Sequence, residues 1–415
     1  MSRNKSLESV SKALIVMAMA ILVAATGAWG QTTFKTLHEF AGVADGSNPE
    51  ACLIFDPAGN LYGTTYQGAG GWGSVFELIP NADGSWTENL IHTFAGGSDG
   101  EYPRAGLIFD QAGNLYGTAS QGTPNHEGAV FELTPDGNGS WSETVLHSFC
   151  SLSNCTDGSQ PYAGLILDQE GNLYGTTEGS GPKGGGVAFK LTPNGDGTWS
   201  ESVLHSFCPY CGDGDGVFAG LIFDQTGNLY GTTFYGGTTG SGIVYKLTPN
   251  PNGTWKEKIL HAFSGIADGA GPASGVIFDT AGNLYGTTSY STDSSNAGTV
   301  FQLTPNSDGS WKEKVLHRFT GGKDGGSPRG TLTFDAAGNL YGTTYSGGVP
   351  PCRNGCGVVF KLTPDSNGMW HETVLHAFIG QPGADPIAGL ILDASGNLYG
   401  TATGASDGSV FEITP

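Results

Sequence analysis

Past residue 30 the apolar residues come in short runs of 4–9, each closed by glycine, asparagine, aspartate or proline. No stretch repeats its apolar positions at three and four residues for long enough to make an amphipathic helix, so the chain reads as strands and turns. One representative stretch carries four runs: Leu107–Asp110, Asn114–Ala119, Ala129–Leu133 and Trp141–Phe149. Between the first two stand Asp110, Gly113 and Asn114, the order that suits a type I turn followed by a left-handed glycine, closing a hairpin with a bulge. Pro57, at the second position of the first such turn, has a fixed φ that fits there. Pro135–Gly139 marks another hairpin. Unbroken alternation along the fourth run places Trp141, Glu143, Val145, His147 and Phe149 on one face.

This pattern recurs. Gly-Asn-Leu-Tyr-Gly-Thr begins at Gly59, Gly113, Gly171, Gly227, Gly282, Gly338 and Gly396. An apolar-His-x-Phe string supplies His38, His92, His147, His205, His261, His317 and His376. Residues 31–415 shared among seven units give 55 each. Four antiparallel strands repeated seven times predict one all-β domain over residues 31–415, a seven-bladed β-propeller. A lone fourth strand, Phe34–Phe40, comes first and a third strand, Ser409–Thr414, comes last. Pairing these two closes the ring, whereas an open solenoid gains nothing from the offset and needs polar caps.

Composition agrees with this picture and adds a compartment. The 70 glycines and 13% charged residues fit a chain of tight turns, and 15 Tyr, 21 Phe and 8 Trp exclude low-complexity disorder. Arg3, Lys5 and Lys12 precede the apolar run Ala13–Ala25, and Ala28 and Gly30 offer small residues before Gln31. These features predict a signal peptide over residues 1–30 and export to the periplasm or beyond. Neither a lipid-accepting cysteine after that run nor an apolar tail at Pro415 is present. Without residues 1–30 the formal charge is 14 − 37 = −23. So acidic a chain repels phosphate backbones and anionic membranes, which argues against nucleic acid as a partner. A monomer with no membrane span after signal removal is expected.

The repeats resemble the GloVer tandem repeat of bacterial exported "choice-of-anchor" proteins: Leu-His-x-Phe, a following Asp-Gly, Gly-Asn-Leu-Tyr-Gly-Thr-Thr, Gly-Gly and Val-Phe, over residues 32–415. The resemblance implies an exported, repeat-built protein with variable anchoring. It brings no catalytic residues.

A catalytic site needs its residues once, whereas a blade needs its packing residues every time. The seven histidines and the Asp-x-x-Gly-Asn aspartates are therefore expected to be structural, and neither a metal nor a cofactor is expected. The Asp-Gly after the fourth strands (Asp45, Asp99, Asp157, Asp268, Asp324) reads as a turn, with a calcium site as the alternative. Six cysteines fall in close pairs, Cys150/Cys155, Cys208/Cys211 and Cys352/Cys356. Export favours local disulfides, with four-cysteine zinc or crossed pairing between the first two pairs as alternatives. Cys52 takes a glycine slot and reads as a small buried thiol.

Function is expected on the face formed by the connections from strand four to the next blade and from strand two to three, because these vary while the opposite turns repeat. Seven tyrosines outside the template, Tyr66, Tyr102, Tyr162, Tyr210, Tyr235, Tyr290 and Tyr345, lie in or beside these connections, with Trp72. Rings with polar edges suit a glycan or another extracellular surface, and the bland alternative is that they plug the propeller mouth. A lyase or hydrolase on the same face is the second class, built from His126, Glu127, Glu178, Lys183, Arg104 and Arg329. Convergence of His126 or Glu178 with an arginine over the axis favours the enzyme; scattered polar groups amid aromatics favour binding.

Overall fold

The aspartate of each Asp-x-x-Gly-Asn turn organises its hairpin. In the computed structural model, which describes residues 32–415 apart from 293, 294, 351, 353, 354, 382 and 405, Asp56 Oδ1 accepts the N–H groups of Ala58 and Asn60, both at 2.8 Å. The expected signal peptide lies outside the described residues. Gly59 completes the turn at a φ of +91°, a conformation that a Cβ would strain. The Tyr62 hydroxyl donates to Glu77 at 2.6 Å and reaches Asp56 at 3.4 Å, so the repeated tyrosine ties the turn to the sheet.

Blade 1 consists of β2 (Ile54–Phe55), β3 (Leu61–Thr65), β4 (Ser74–Pro80) and β5 (Trp86–Thr93), antiparallel in that order. Among the described residues the same unit recurs to give seven four-stranded sheets, so the protein is a seven-bladed propeller. Gly63 explains the glycine of the repeat: it pairs with Phe76, and a Cβ on it would lie 2.5 Å from that ring. The apolar clusters form between blades. Val75 and Phe94 of blade 1 pack with Leu107, Leu115, Phe131 and Leu133 of blade 2, where Phe94 and Phe131 meet edge-to-face at 5.2 Å. Nearer the axis, Thr64 Oγ1 donates to the Ala105 carbonyl of the next blade at 3.1 Å.

Blade 7 closes the ring. It comprises β26 (Ile391–Leu392), β27 (Leu398–Ala402) and β28 (Ser409–Thr414), with β1 (Thr33–Glu39) as its outer strand. β1 runs antiparallel to β28 from Thr33↔Thr414 to Glu39↔Ser409. Thr401 of blade 7 then donates to the Ala51 carbonyl of blade 1, also at 3.1 Å.

One expectation is corrected. The fourth strands carry a bulge: Val145 pairs with Phe131 and His147 with Val130, leaving Leu146 extra. Trp141 through Phe149 therefore do not form one continuous face, and Leu146 is buried. The bulge lets a strand bury both Leu146 and Phe149 while turning His147 toward the loop. No helix among the described residues is long and apolar enough to cross a membrane.

Candidate functional site

Each blade sends two connections to the variable face, and a bridge joins them, as between Glu101 and Gln121 or Asp215 and Tyr235. The residue after that bridge is held in the left-handed region in every blade. Five of these are not glycine: Asn48, Tyr102, Gln160, Ser327 and Asp385, with φ between 53° and 58°. Such strain collects where loops serve a purpose. Its structural use is visible, since Tyr102 N–H donates to the Trp72 carbonyl of the preceding blade and its own carbonyl accepts Ser120 N–H.

Two residues further on, the side chain borders the axis. Glu50, Arg104, Tyr162, Phe218, Ala273, Arg329 and Ile387 occupy this place in blades 1 to 7 and line a cavity of about 390 Å³ with the small residues that follow them. Arg104 is the hub of one side. It pairs with Glu50 at 3.0 Å, and its guanidinium lies 4.2 Å from the Tyr66 ring centre and 5.1 Å from that of Tyr162. Burial pushes the Glu50 carboxyl up, and Arg104 and Arg329 oppose that rise. Glu178 is raised by burial and by Asp215, with Arg104 opposing; the Tyr162 phenol is raised by burial and by Glu178.

From Arg104 the rings run around the mouth in an almost unbroken arc. Trp72 meets Tyr102 at 5.6 Å, Tyr102 meets Tyr66 at 4.8 Å, and Tyr162 meets Phe218 at 5.8 Å. Phe218 continues to Phe234 at 5.6 Å, which contacts Tyr235 at 4.8 Å and Tyr290 at 5.8 Å. Across the mouth, Arg329 lies 4.4 Å from the Tyr345 ring centre. Both border a second hollow of about 830 Å³ together with Asp385.

Of the eight aromatics singled out by sequence, Tyr162 lines the axial cavity, Tyr345 the second hollow, five more join the arc through ring or Arg104 contacts, and one stands apart. Tyr210 is almost fully exposed beside the Cys208–Cys211 bridge and joins no ring of the arc. Phe218 and Phe234 were not anticipated, although aligning the units on Pro-x-Ala-Gly exposes the first position. Glu178 comes within the field of Arg104, but His126 is exposed on its own loop and Lys183 pairs with Asp213 at 3.3 Å. Glu127 serves by its backbone, accepting Gln160 N–H.

The repeated histidines are loop staples, not axial groups. Six approach the Asp-Gly aspartate, from 3.0 Å for His261–Asp268 to 3.8 Å for His92–Asp99. Asp213, absent from the sequence-based set, belongs to it and sits 3.4 Å from His205. The same aspartates accept backbone N–H groups, as Asp45 does from Ala41 at 2.7 Å, so the turn reading stands.

The paired cysteines form three local disulfides, Cys150–Cys155, Cys208–Cys211 and Cys352–Cys356, which removes the alternatives of four-cysteine zinc and crossed pairing. They do not share one position relative to the mouth. Cys155 belongs to a short 3-10 turn, Ser153–Cys155, and its carbonyl accepts the N–H groups of Gly158 and Gly181, so the first bridge fastens two loops of blade 3. Cys352 borders the larger hollow, whereas Cys356 is fully buried in the cluster between blades 6 and 7. That third bridge ties the hollow's rim to the core. The remaining thiol, Cys52, accepts Gly389 N–H at 3.2 Å.

Among solved structures, virginiamycin B lyase from Staphylococcus aureus is similar at 14% identity, covering 92% of this chain and 99% of its own with a TM-score of 0.54. That likeness concerns the fold alone. A putative oxidoreductase (glucose dehydrogenase) from Thermus thermophilus matches at 14% identity over 92% of this chain and 100% of its own, with a TM-score of 0.40. No curated protein matches the chain. The Gloeobacter/Verrucomicrobia repeat matches over residues 26–165, 83–296 and 219–415, and the chain belongs to that family.

Proposed function

We propose that the chain is an exported binding protein without catalysis, whose variable face takes an extended neutral or weakly polar glycan. One observation carries this reading: an arc of rings in contact, Trp72, Tyr102 and Tyr66 on one side of Arg104 and Tyr162, Phe218, Phe234 and Tyr290 on the other, reaches the axial cavity through Tyr162 and Phe218. Sugar rings stack on such surfaces, and each contact adds on the order of 1 kcal/mol. The two arginines do not make the mouth cationic, because Glu50 pairs with Arg104 and Asp385 lies within the field of Arg329. Export is supported by the basic-apolar start of the sequence and by three disulfides.

The test is a glycan array on the intact protein, followed by calorimetric titration of any hit. Replacing Trp72, Tyr66 and Tyr345 together with alanine is expected to weaken binding about a hundredfold without unfolding the ring. Unchanged affinity returns these rings to the role of plugging the mouth.

A second reading rests on Glu178, whose carboxyl is raised by burial and Asp215 and lies within the field of Arg104. Glu50, Glu178 and Tyr162 around Arg104 make an acid–base set suited to a lyase or hydrolase. Cleavage of the captured glycan that stops in Glu178→Gln while binding persists would establish it in place of the first.

A further inference from the structure

Six of the seven blade interfaces repeat one polar cluster. A fourth-strand histidine meets the aspartate of the loop that follows it, and a glutamate on the fourth strand of the next blade faces that aspartate, as Glu143 faces Asp99. These glutamates each leave Oε1 shielded from water without a hydrogen-bond partner. A buried acceptor without a partner is destabilising, so the cluster calls for a proton or a cation. Packing does not demand a glutamate there. At the seventh interface Phe34 holds the equivalent place, stacked on His376 at 3.9 Å.

We propose that the interface between blades 3 and 4 binds a divalent metal ion of the zinc class through His205 Nε2, Asp213 Oδ2 and Glu257 Oε1. Among the described residues this is the cluster whose three ligand atoms all lie within 4.8 Å of one another. At two of the other interfaces the imidazole is satisfied directly, His38 and His261 hydrogen-bonding their aspartates at 3.1 and 3.0 Å, while the glutamate Oε1 stays unpaired. Here, as at the interfaces of His92, His147 and His317, the histidine Nε2 and the glutamate Oε1 are both shielded and unpaired, and what distinguishes His205, Asp213 and Glu257 is that their ligand atoms converge. Asp213 is aimed by its other oxygen, which accepts Cys208 N–H at 2.7 Å, and the Cys208–Cys211 bridge stiffens that loop. One imidazole nitrogen and two carboxylate oxygens, with a fourth position open to water, suit tetrahedral zinc; calcium asks for six to eight oxygens. Lys183, half exposed, already brings an ammonium to 3.3 Å from Asp213 Oδ2, so a positive charge is drawn to this point. When the metal binds, that arm swings into water. Burial and Asp213 push the Glu257 carboxyl up to about 7, which makes a proton the rival occupant. This site is independent of the axial mouth and of any reading of it.

The test uses the full chain with disulfides intact, stripped with a chelator and titrated with zinc chloride by calorimetry, with bound zinc counted after gel filtration. One equivalent is expected. Glu257→Gln and His205→Ala should each weaken it at least tenfold, Lys183→Met should tighten it, and Glu143→Gln at another interface should leave it unchanged. The gain in Lys183→Met protects the test against simple unfolding. No zinc above background in the native chain overturns the proposal. So does zinc that neither Glu257→Gln nor Lys183→Met alters, because that metal would sit elsewhere.

Discussion

The interface between blades 6 and 7 and the other six are built from the same strands and equivalent buried aromatic pairs, yet they solve the outer rim differently. Six place a histidine, an aspartate and a glutamate there. The seventh lacks a loop aspartate beside His376, and Phe34 lies flat on its ring, 11° from parallel. His376 is thus a buried imidazole held by an aromatic, and burial pushes its pKa down to about 4. A template position can therefore be filled by apolar or by ionisable chemistry while the four-stranded pairing of the blade is kept. What the polar version adds is sensitivity to protons and cations.

The largest expected effect breaks the closing interface altogether. Deleting residues 32–40 removes β1, strips Phe34, Leu37 and Phe40 from their clusters and leaves β28 with an open edge. The melting temperature should fall by more than about 10 °C, with association of the exposed edges visible in light scattering. A truncated chain that melts with the intact one and stays monomeric would refute ring closure.

Next in size, Phe34→Ala should cost about 2–3 kcal/mol in denaturant unfolding, since it leaves a cavity against His376 and Phe411. Glu143→Met, at an ordinary interface, should change stability by less than about 1 kcal/mol or raise it, because it removes an unpaired buried oxygen. Equal costs would mean that the two kinds of interface do not differ as described.

The smallest effect is one of sign. Glu143 is raised by burial from 4.5 to about 7, so between those values the folded chain keeps a proton that the unfolded chain releases. Its contribution is full below pH 4.5 and is lost as pH rises through 7. His376 behaves oppositely. It is lowered from 6.5 to about 4, so its contribution is full above 6.5 and is lost as pH falls through 4. Melting profiles with chelator present should show Glu143→Gln flattening the first limb and His376→Asn the second. Both variants flattening the same limb would contradict the assignment.

Strand count, ring closure and the disulfides were legible because short-range signals carry them. Asp, Gly and Asn stand at fixed spacing, the offset ends need each other, and the paired cysteines lie within five residues, the widest gap being Cys150 to Cys155. The bulge was hidden because period-two reading has no place for an extra residue, although the adjacent Val145 and Leu146 break the alternation. The His–Asp pairing was obscured by loops that set the partners from 7 residues apart, as in His38 and Asp45, to 10 in His147 and Asp157. Glutamate joins that pair only across a blade boundary, which no local pattern encodes. The split between Cys352 at the hollow and Cys356 in the core was equally invisible, since spacing predicts a bridge but not the depth of its two ends. At the mouth, a tally of tyrosines finds Tyr66 and Tyr162 but passes over Phe218 and Phe234, whose rings extend the same arc.

The pairing of Thr33 with Thr414 also fixes a direction. Both residues lie where other blades turn from their third strand to their fourth, on the side away from the aromatic mouth. Thr33 and Thr414 thus put both points of attachment to the ring on its back. A chain tethered to a bead, a sensor chip or a cell wall at Thr33 or Thr414 would hold its variable loops toward the solution.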